Sequence, residues 1–223
     1  MAQGTLKDED YLDAVLSGRL DPQVVLWGYR RGIFPMADPD TGKIDWHSPD
    51  PRGIIDLDHF HIPHTLRSIL HGGKFRLTID LAFDRVIQKC GERDSTWISS
   101  SIIKCYRRLH TMGYAHSVES WRGEDLAGGL YGVSIGGAFF GESMFHTRTD
   151  GSKAALAGLV QQLQEQGFIL LDVQFVTAHL ARLGAEAISR EEYLCRLGQA
   201  LREKCGFARP NQQTIEIRYT NRT

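Results

Sequence analysis

Two polar residues, Asp172 and Gln174, end the apolar segment 168–174. Side chains alternate along a strand, so we expect both on one face, with Val173 on the other. Asp172 has two interpretations: it supports chemistry at the end of a strand, or it caps the next helix. Thr177 is better placed to cap that helix, which favours a chemical role for Asp172. Gln174 is neither acid nor base, so it would orient a nucleophile or hold a proton through its carbonyl oxygen.

A third candidate, Glu142, lies among apolar residues in the strand-like segment 139–145. Alternation places it on one face with Met144, and Ser143 on the other. Burying an unpaired carboxylate is costly, so Glu142 needs a cationic partner. That partner is either an internal Arg or Lys, or the amine of a ligand. Ser143 and His146 could belong to a hydrolytic triad, but the serine lacks a Gly-x-Ser-x-Gly turn, which disfavours it.

Two tryptophans have sequence neighbours that suit nucleic-acid binding. Trp46 begins a rigid Pro-containing stretch, and Trp97 lies between Thr96 and Ile98. Exposed indoles near such a loop can stack on bases, which is worth about 1–3 kcal/mol per base. The alternative is that each indole fills a gap in the core.

Composition limits the class of protein. The 223 residues carry 26 basic and 27 acidic side chains and a formal net charge of -1. This balance argues against binding nucleic acid through a basic tail. The four cysteines show no zinc-ligand spacing, so we expect buried, reduced thiols and no metal. The N-terminal segment lacks the pattern of a signal peptide, and no apolar run could span a bilayer. We therefore expect a cytoplasmic protein.

Hydrophobic periodicity predicts an α+β fold. Helices are predicted over 9–18 and from Pro22 to Gly32, then a rigid Pro-rich segment over 34–52. The remaining pattern is a helix near 66–70, a strand at 75–79, helices at 80–91 and 99–113, and three hairpin-connected strands within 115–145. An amphipathic helix at 151–166, the strand 168–174 and helices at 176–183 and 189–204 complete it. We place a domain boundary at residue 52, which separates 1–52 from 53–223.

The motifs, in this order, resemble the leucyl/phenylalanyl-tRNA–protein transferase family. The strings that carry the resemblance are GYRRGIFPM at 28–36, WHSPDPR at 46–52, TWI at 96–98, GYAHSVE at 113–119, GGLYGV at 128–133, GESMF at 141–145, LDVQ at 171–174 and HLARLGA at 179–185. The similarity extends from residue 21 to residue 194. It implies a small N-terminal domain followed by a GNAT-type acyltransferase domain with a mixed sheet.

The resemblance also implies a reaction. The family moves Leu or Phe, and less readily Met, from aminoacyl-tRNA to the N-terminal Arg or Lys of a protein, which marks that protein for N-end rule degradation. The ester is already activated, so no cofactor is implied. We expect a monomer that acts away from membranes.

By the same resemblance, Gln174 would hold the attacking amine and help to remove its proton. Asp172 would orient Gln174 or balance developing charge, and Glu142 would bind the donor's α-ammonium. The terminal adenosine of the tRNA would be held by Trp97, Trp46 and Met36. The side chain of the donor amino acid would lie in a pocket lined by Leu130, Phe139, Leu159, Leu163 and Leu171.

Two departures from the family concern tRNA. Some relatives have Trp in place of Met36, so adenine stacking here would either be weaker or shift to Trp46 and Trp97. Segment 64–76 also has few fixed positive charges compared with relatives, which would weaken phosphate contacts. Two alternative functions are an acetyltransferase that uses acetyl-CoA and a non-catalytic RNA-binding module. The first needs a Gly-rich phosphate-binding turn, and segment 146–153 contains one glycine.

Overall fold

The computed structural model describes residues 7–60, 62–92, 96–207 and 214–216. Both N-terminal helices are confirmed as α1 (Asp8–Leu16) and α2 (Pro22–Tyr29). Asp21 caps α2, because its side chain accepts a hydrogen bond of 3.0 Å from the backbone nitrogen of Gln23. After α2 the chain turns at Gly32, whose φ of +75° is readily adopted by glycine.

The sequence predicts an irregular structure for the Pro-rich segment 34–52, but this segment contains two short strands and the first residue of a third. β1 (Phe34–Ala37) and β2 (Ile44–His47) form a two-stranded antiparallel sheet. β3 (Arg52–Ile55) joins the main sheet between two later strands. Four-residue strands are too short for a clear period-2 pattern, and Pro35 is tolerated because a two-stranded sheet consists only of edges. The boundary at residue 52 stays a prediction.

The other predicted helices and strands are all present, with ends shifted by a few residues. They are α3 (His64–His71), β4 (Arg76–Ile79), α4 (Phe83–Gly91), α5 (Ser100–Thr111), β5 (Ala115–Arg122), β6 (Asp125–Ile135), β7 (Ala138–His146), α6 (Gly151–Glu165), β8 (Leu170–Gln174), α7 (Ala178–Ala181) and α8 (Arg190–Ala200). Two further strands were not predicted: β9 (Ala185–Ile188) and β10 (Thr214–Ile215). Both lie at sheet edges and are too short for a sequence signal.

The main sheet is mixed and has the strand order β10-β4-β5-β6-β7-β8-β3-β9. β5, β6 and β7 form the predicted antiparallel meander, and β7 pairs with β8 in parallel. Two hydrophobic clusters form the core: one includes residues of α2, α4 and α5, and the other residues of α3 and α6. The predicted α+β class with a mixed sheet is confirmed. Among the described residues, no helix has both the length and the apolarity needed to cross a membrane.

The cysteine prediction is half correct. No disulfide joins the four cysteines, all of which lie in the described part of the chain, and Cys90 and Cys105 are buried. Cys195 is exposed and Cys205 is half-buried, so burial was wrong for these two. Both lie near the C-terminal end of the described chain, where Cys205 packs at the margin of the second hydrophobic cluster.

A buried ion pair links the N-terminal part to the sheet. The Arg52 guanidinium donates from Nε and Nη2 to the two Asp172 oxygens, at 3.0 and 2.6 Å. Its Nη1 donates to the Gly32 carbonyl at 3.0 Å, and it lies over the rings of Phe34 and Tyr193. The Tyr193 hydroxyl donates to Asp172 at 2.7 Å. Arg52 and Asp172 are almost completely buried, so each charge depends on the other.

The ion pair predicts a large stability loss when one member is removed. Replacing Arg52 with Met keeps much of the side-chain volume but leaves Asp172 buried without its counter-charge. We expect the free energy of unfolding, measured by urea denaturation, to fall by about 3–5 kcal/mol. The matched control is Arg107→Met, which breaks an exposed pair with Asp84 and should cost about 0–1 kcal/mol. Equal, small losses in both variants would show that Asp172 does not depend on Arg52 for its counter-charge.

Candidate active site

A cavity opens where β7 and β8 stop pairing. Their parallel register runs from Ala138 and Leu170 to Phe140 and Asp172, and no further. Beyond that point, residues 141–144 and 173–175 line a cavity of about 250 Å³. The separation of the two strands therefore exposes their side chains and backbone to a shared space in the middle of the sheet.

Both strands contain a β-bulge at this point. Tyr131 pairs with Ser143 and Gly132 with Gly141, so Glu142 is an extra residue on β7. Opposite β3, Val173 is likewise an extra residue on β8. A bulge places one additional residue against the neighbouring strand and changes the direction of its side chain. The two bulges thus lie on either side of the cavity.

The bulges correct two predictions based on strict alternation. Glu142, Ser143 and Met144 all line the cavity, rather than alternating between faces. Gln174 lines it too, whereas Asp172 does not and is fully buried. Gln174 also has a φ of +56°, which is uncommon for a residue other than glycine and turns the chain away from the regular strand. Asp172 and Gln174 therefore do not share a face.

Neutral side chains hold Glu142, so the internal Arg or Lys, one of the two cationic partners that the sequence left open, does not pair with it in the described residues. The Tyr29 hydroxyl donates to Oε1 at 2.6 Å, and the Tyr106 hydroxyl donates to Oε2 at 3.2 Å. The two tyrosine hydroxyl oxygens also lie 2.5 Å from each other. The side-chain nitrogen of Gln174 donates to Glu142 Oε1 at 3.3 Å. In the described part of the chain, Glu142 forms no ion pair.

This environment raises the pKa of Glu142 to about 7. Burial is the main cause, and the negative charge of Asp172 acts in the same direction. The hydrogen bonds from Tyr29 and Tyr106 favour the carboxylate and limit the rise. A carboxyl with this pKa can be ionised or protonated near neutral pH, which suits a group that exchanges protons or binds an ammonium.

Gln174 is fixed at both its backbone and its side chain. Its backbone nitrogen donates to Asp172 Oδ1 at 2.8 Å, while its amide nitrogen donates to Glu142. With the nitrogen directed at Glu142, the amide oxygen remains as an acceptor at the cavity. Asp172 contacts Gln174 through this backbone hydrogen bond and does not line the cavity. Thr177 caps α7 as predicted, because its Oγ1 accepts from the Leu180 nitrogen at 3.2 Å.

The structure places five of the remaining predicted residues at the cavity. They are Met36, Trp97, Leu130, Leu159 and Leu171. Met36 lies beside Phe34 on one face of β1, and Leu159 follows Leu156 on the inner face of α6. The wall is thus mainly apolar, with Glu142 and Gln174 at one side.

Three predicted residues do not line the cavity. Trp46 pairs directly with Pro35 across β1 and β2, so it is on the opposite face from Met36. It packs against the core instead. Phe139 is completely buried and stacks on Phe207 at 5.0 Å. Leu163 is also completely buried, one turn further along α6 than Leu159.

Comparison with known proteins identifies the family. The model of the leucyl/phenylalanyl-tRNA protein transferase matches residues 54–198, and the model of its N-terminal domain matches residues 18–50. The chain belongs to the leucyl/phenylalanyl-tRNA–protein transferase family. The resemblance inferred from the sequence is confirmed, and the chain is an aminoacyltransferase.

Relatives with the name leucyl/phenylalanyl-tRNA–protein transferase are similar over most of their length. The protein of Salinibacter ruber is 50% identical over 82% of this chain and 80% of its own. That of Akkermansia muciniphila is 49% identical over 85% of this chain and 100% of its own. That of Rubrobacter xylanophilus is 48% identical, with the same two coverages of 85% and 100%.

The sequence patterns missed several residues of this transferase site. Tyr29 and Arg52 lie inside strings that carry the family resemblance, yet only their contacts reveal that they support Glu142 and Asp172. Tyr106 comes from α5 and gives no sequence signal of its own. The remaining unpredicted members line the cavity, and include Phe34, Leu156, Phe175, Thr177, His179 and Leu180.

The raised pKa predicts that Glu142 destabilises the fold at neutral and higher pH. The native state keeps its proton up to about pH 7, whereas the unfolded carboxyl loses it near 4.5. The stability contributed by the protonated form is therefore lost as pH rises from about 4.5 through 7. Glu142→Gln cannot ionise, so its free energy of unfolding should exceed that of the unmodified protein by about 1–3 kcal/mol at pH 8.

The measurement is urea denaturation at pH 5 and pH 8. The difference in the free energy of unfolding between Glu142→Gln and the unmodified protein should grow with pH. The exposed Glu124 provides the control: Glu124→Gln should give nearly the same difference at both values. A constant effect of Glu142→Gln would show that its carboxyl ionises normally.

Proposed function

We propose that this transferase moves Leu or Phe, and less readily Met, from aminoacyl-tRNA to the N-terminal Arg or Lys of proteins, marking them for N-end rule degradation. One observation carries the proposal: Glu142, with a pKa of about 7, contacts the Gln174 amide at the edge of an apolar cavity. Such a site combines a polar centre for an amine with a pocket for an apolar side chain.

The reaction is an aminolysis that needs little beyond positioning. The neutral amine of the acceptor attacks the ester carbonyl, a C–N bond forms, and the C–O bond to the ribose breaks. One amine proton is lost, and one proton ends on the released ribose oxygen. Holding both reactants in line supplies most of the acceleration, since the ester is already activated.

In this proposal Gln174 is the residue closest to the attacking amine. Its amide oxygen accepts a hydrogen bond from that amine and directs the nitrogen lone pair towards the ester. Asp172 is a positioning residue, which the hydrogen bond from the Gln174 backbone and the buried pair with Arg52 support. Glu142 in its ionised form binds the α-ammonium of the donor, with its geometry fixed by Tyr29 and Tyr106.

The donor's other parts occupy the rest of the cavity. Trp97 and Met36 hold the terminal adenosine, and Trp46 supports this end through the core rather than by stacking. Leu130, Leu159 and Leu171 contact the donor side chain, with Phe139 and Leu163 as the layer behind them. A purely apolar pocket discriminates weakly, at about 1–3 kcal/mol per methylene. This fits a donor range of Leu, Phe and Met.

The proposal includes a GNAT-type arrangement of the larger domain. It also includes a protein that acts as a monomer in the cytoplasm. Support for the arrangement comes from the parallel pair β7 and β8, which separates at the site. A protein acceptor could approach through this opening. The sequence resemblance is the basis for the monomer, the cytoplasm and the choice of Arg or Lys.

Transfer of labelled Leu from tRNA to a peptide that begins with Arg tests the function. The unmodified protein should transfer Leu, and labelled acetyl-CoA should give no product. Gln174→Ala keeps the backbone hydrogen bond to Asp172, so the fold should remain while kcat falls about 10²-fold or more. Its affinity for aminoacyl-tRNA should change little. Gln199→Ala, on the exposed side of α8, is the control and should be fully active.

Two results would overturn this proposal. Acetylation without leucylation would identify an acetyltransferase. Loss of tRNA affinity in Gln174→Ala, with kcat unchanged, would assign Gln174 to binding rather than to the reaction.

The layer behind the pocket gives a separate prediction. Phe139→Ala removes a fully buried ring, which should cost about 3–5 kcal/mol of stability. The lining leucines can then move into the space, so the preference for Leu over smaller donor amino acids should decrease. The ratio of kcat/KM for Leu-tRNA and Val-tRNA measures this. An unchanged ratio would show that the second layer does not shape the pocket.

A further inference from the structure

His179 on α7 is a polar residue of the cavity with no role in the reaction described above. It lines the same cavity as Glu142 and Gln174. Its Nε2 is buried, and makes no hydrogen bond to any residue within 7–60, 62–92, 96–207 and 214–216. Leaving a buried imidazole nitrogen without a partner costs free energy. A substrate atom that enters the cavity can supply the partner.

The surroundings of His179 are positively charged. Burial lowers its pKa, and Lys153, His146 and Arg182 lower it further through their charges. Asp150 offsets part of this, because its Oδ1 contacts the Lys153 ammonium at 2.8 Å. Counting Lys153 and Arg182 as positive and Asp150 as negative leaves one net positive charge before either histidine takes up a proton. The imidazole of His179 is therefore neutral near pH 7, with one N–H to donate.

This charge pattern selects between the two substrates. An acceptor protein brings the positive charge of its N-terminal basic side chain, which a positive neighbourhood repels. The aminoacylated end of an RNA brings oxygens with partial or full negative charge, in its ester, ribose hydroxyls and phosphodiesters. A neutral N–H donor beside fixed positive charges is suited to such oxygens.

We propose that His179 is a further substrate-positioning residue, whose Nε2–H donates a hydrogen bond to an oxygen of the aminoacylated RNA end. Its Nε2 is not hydrogen-bonded to Glu142 or Gln174, so it acts on donor binding and not on proton transfer. Thr177, as the cap of α7, sets the direction of this short helix and so of the imidazole. The inference rests on the proposed function, because that supplies the donor.

The test measures KM for each substrate separately in His179→Ala and His179→Gln. We expect Ala to raise KM for Leu-tRNA about tenfold, the loss of one hydrogen bond to an electron-rich oxygen, with KM for the peptide within about twofold. Gln keeps an N–H donor at similar reach, so it should restore most of the affinity. His59→Ala is the control, because His59 is exposed on a loop, and should leave both KM values unchanged.

A second donor, leucyl-adenosine without phosphates, locates the oxygen. A tenfold loss that persists with it supports contact with the ester or ribose. A loss seen only with Leu-tRNA supports contact with a phosphodiester.

Three results would overturn the proposal: a rise in peptide KM alone, unchanged KM values in His179→Ala, or a loss that Gln does not restore. A separate binding measurement distinguishes this inference from the proposed function. Fluorescence anisotropy reports how tightly the same variants bind a non-reactive leucyl-RNA, in which an amide replaces the ester. If the unmodified protein fails to transfer Leu, the function is wrong. The anisotropy result still decides whether His179 binds the RNA end.

Discussion

The geometry of the site depends on one buried ion pair, Arg52 with Asp172. The carboxylate has four hydrogen-bond donors: two from the guanidinium, one from Tyr193 and one from the backbone of Gln174. A charge without solvent is tolerated only when it is compensated this fully. Because the donors come from β3, α8 and β8, the same interaction fixes three elements around the end of β8. It also holds Gln174 in its positive-φ conformation.

The second constraint is Glu142, which the fold holds at a cost. An extra residue on β7 directs this carboxyl towards the cavity, and burial raises its pKa to about 7. The tyrosines of α2 and α5 reduce that cost without removing it, since neutral hydroxyls stabilise a carboxylate less than a cation would. The remaining preference for a positive partner is what a donor α-ammonium can satisfy. Stability and function are thus in opposition at this residue.

The N-terminal segment is part of the site and not an attachment to it. Tyr29 reaches Glu142, Phe34 and Met36 line the cavity, and Arg52 neutralises Asp172. Phe34 belongs to the hydrophobic cluster that also includes residues of α4 and α5. The site can form only when this segment packs against the sheet, which couples its assembly to folding of the whole described chain.

The sequence by itself determined the order of most helices and strands and the family. It also singled out Glu142 and Gln174 as candidate site residues, and the fold brings the two into contact. Long periodic segments such as 151–166 are visible locally, because packing repeats with the period of the element. Gln174, Met36, Trp97 and three leucines, all named from the sequence, line one cavity. The short strands β1, β2, β3, β9 and β10 were not predicted, because two to four residues carry too little pattern.

Only the tertiary structure decided how these residues face one another. Strict alternation assigned Asp172 and Gln174 to one face, but the bulge at Val173 and the positive φ of Gln174 separate them. The side-chain partners of the two carboxyls come from positions 21 to 120 residues away along the chain. A bulge depends on the neighbouring strand, and a buried charge on its distant partner. Neither is a property of the local sequence, so residue types can indicate the chemistry while the fold decides which side chain performs it.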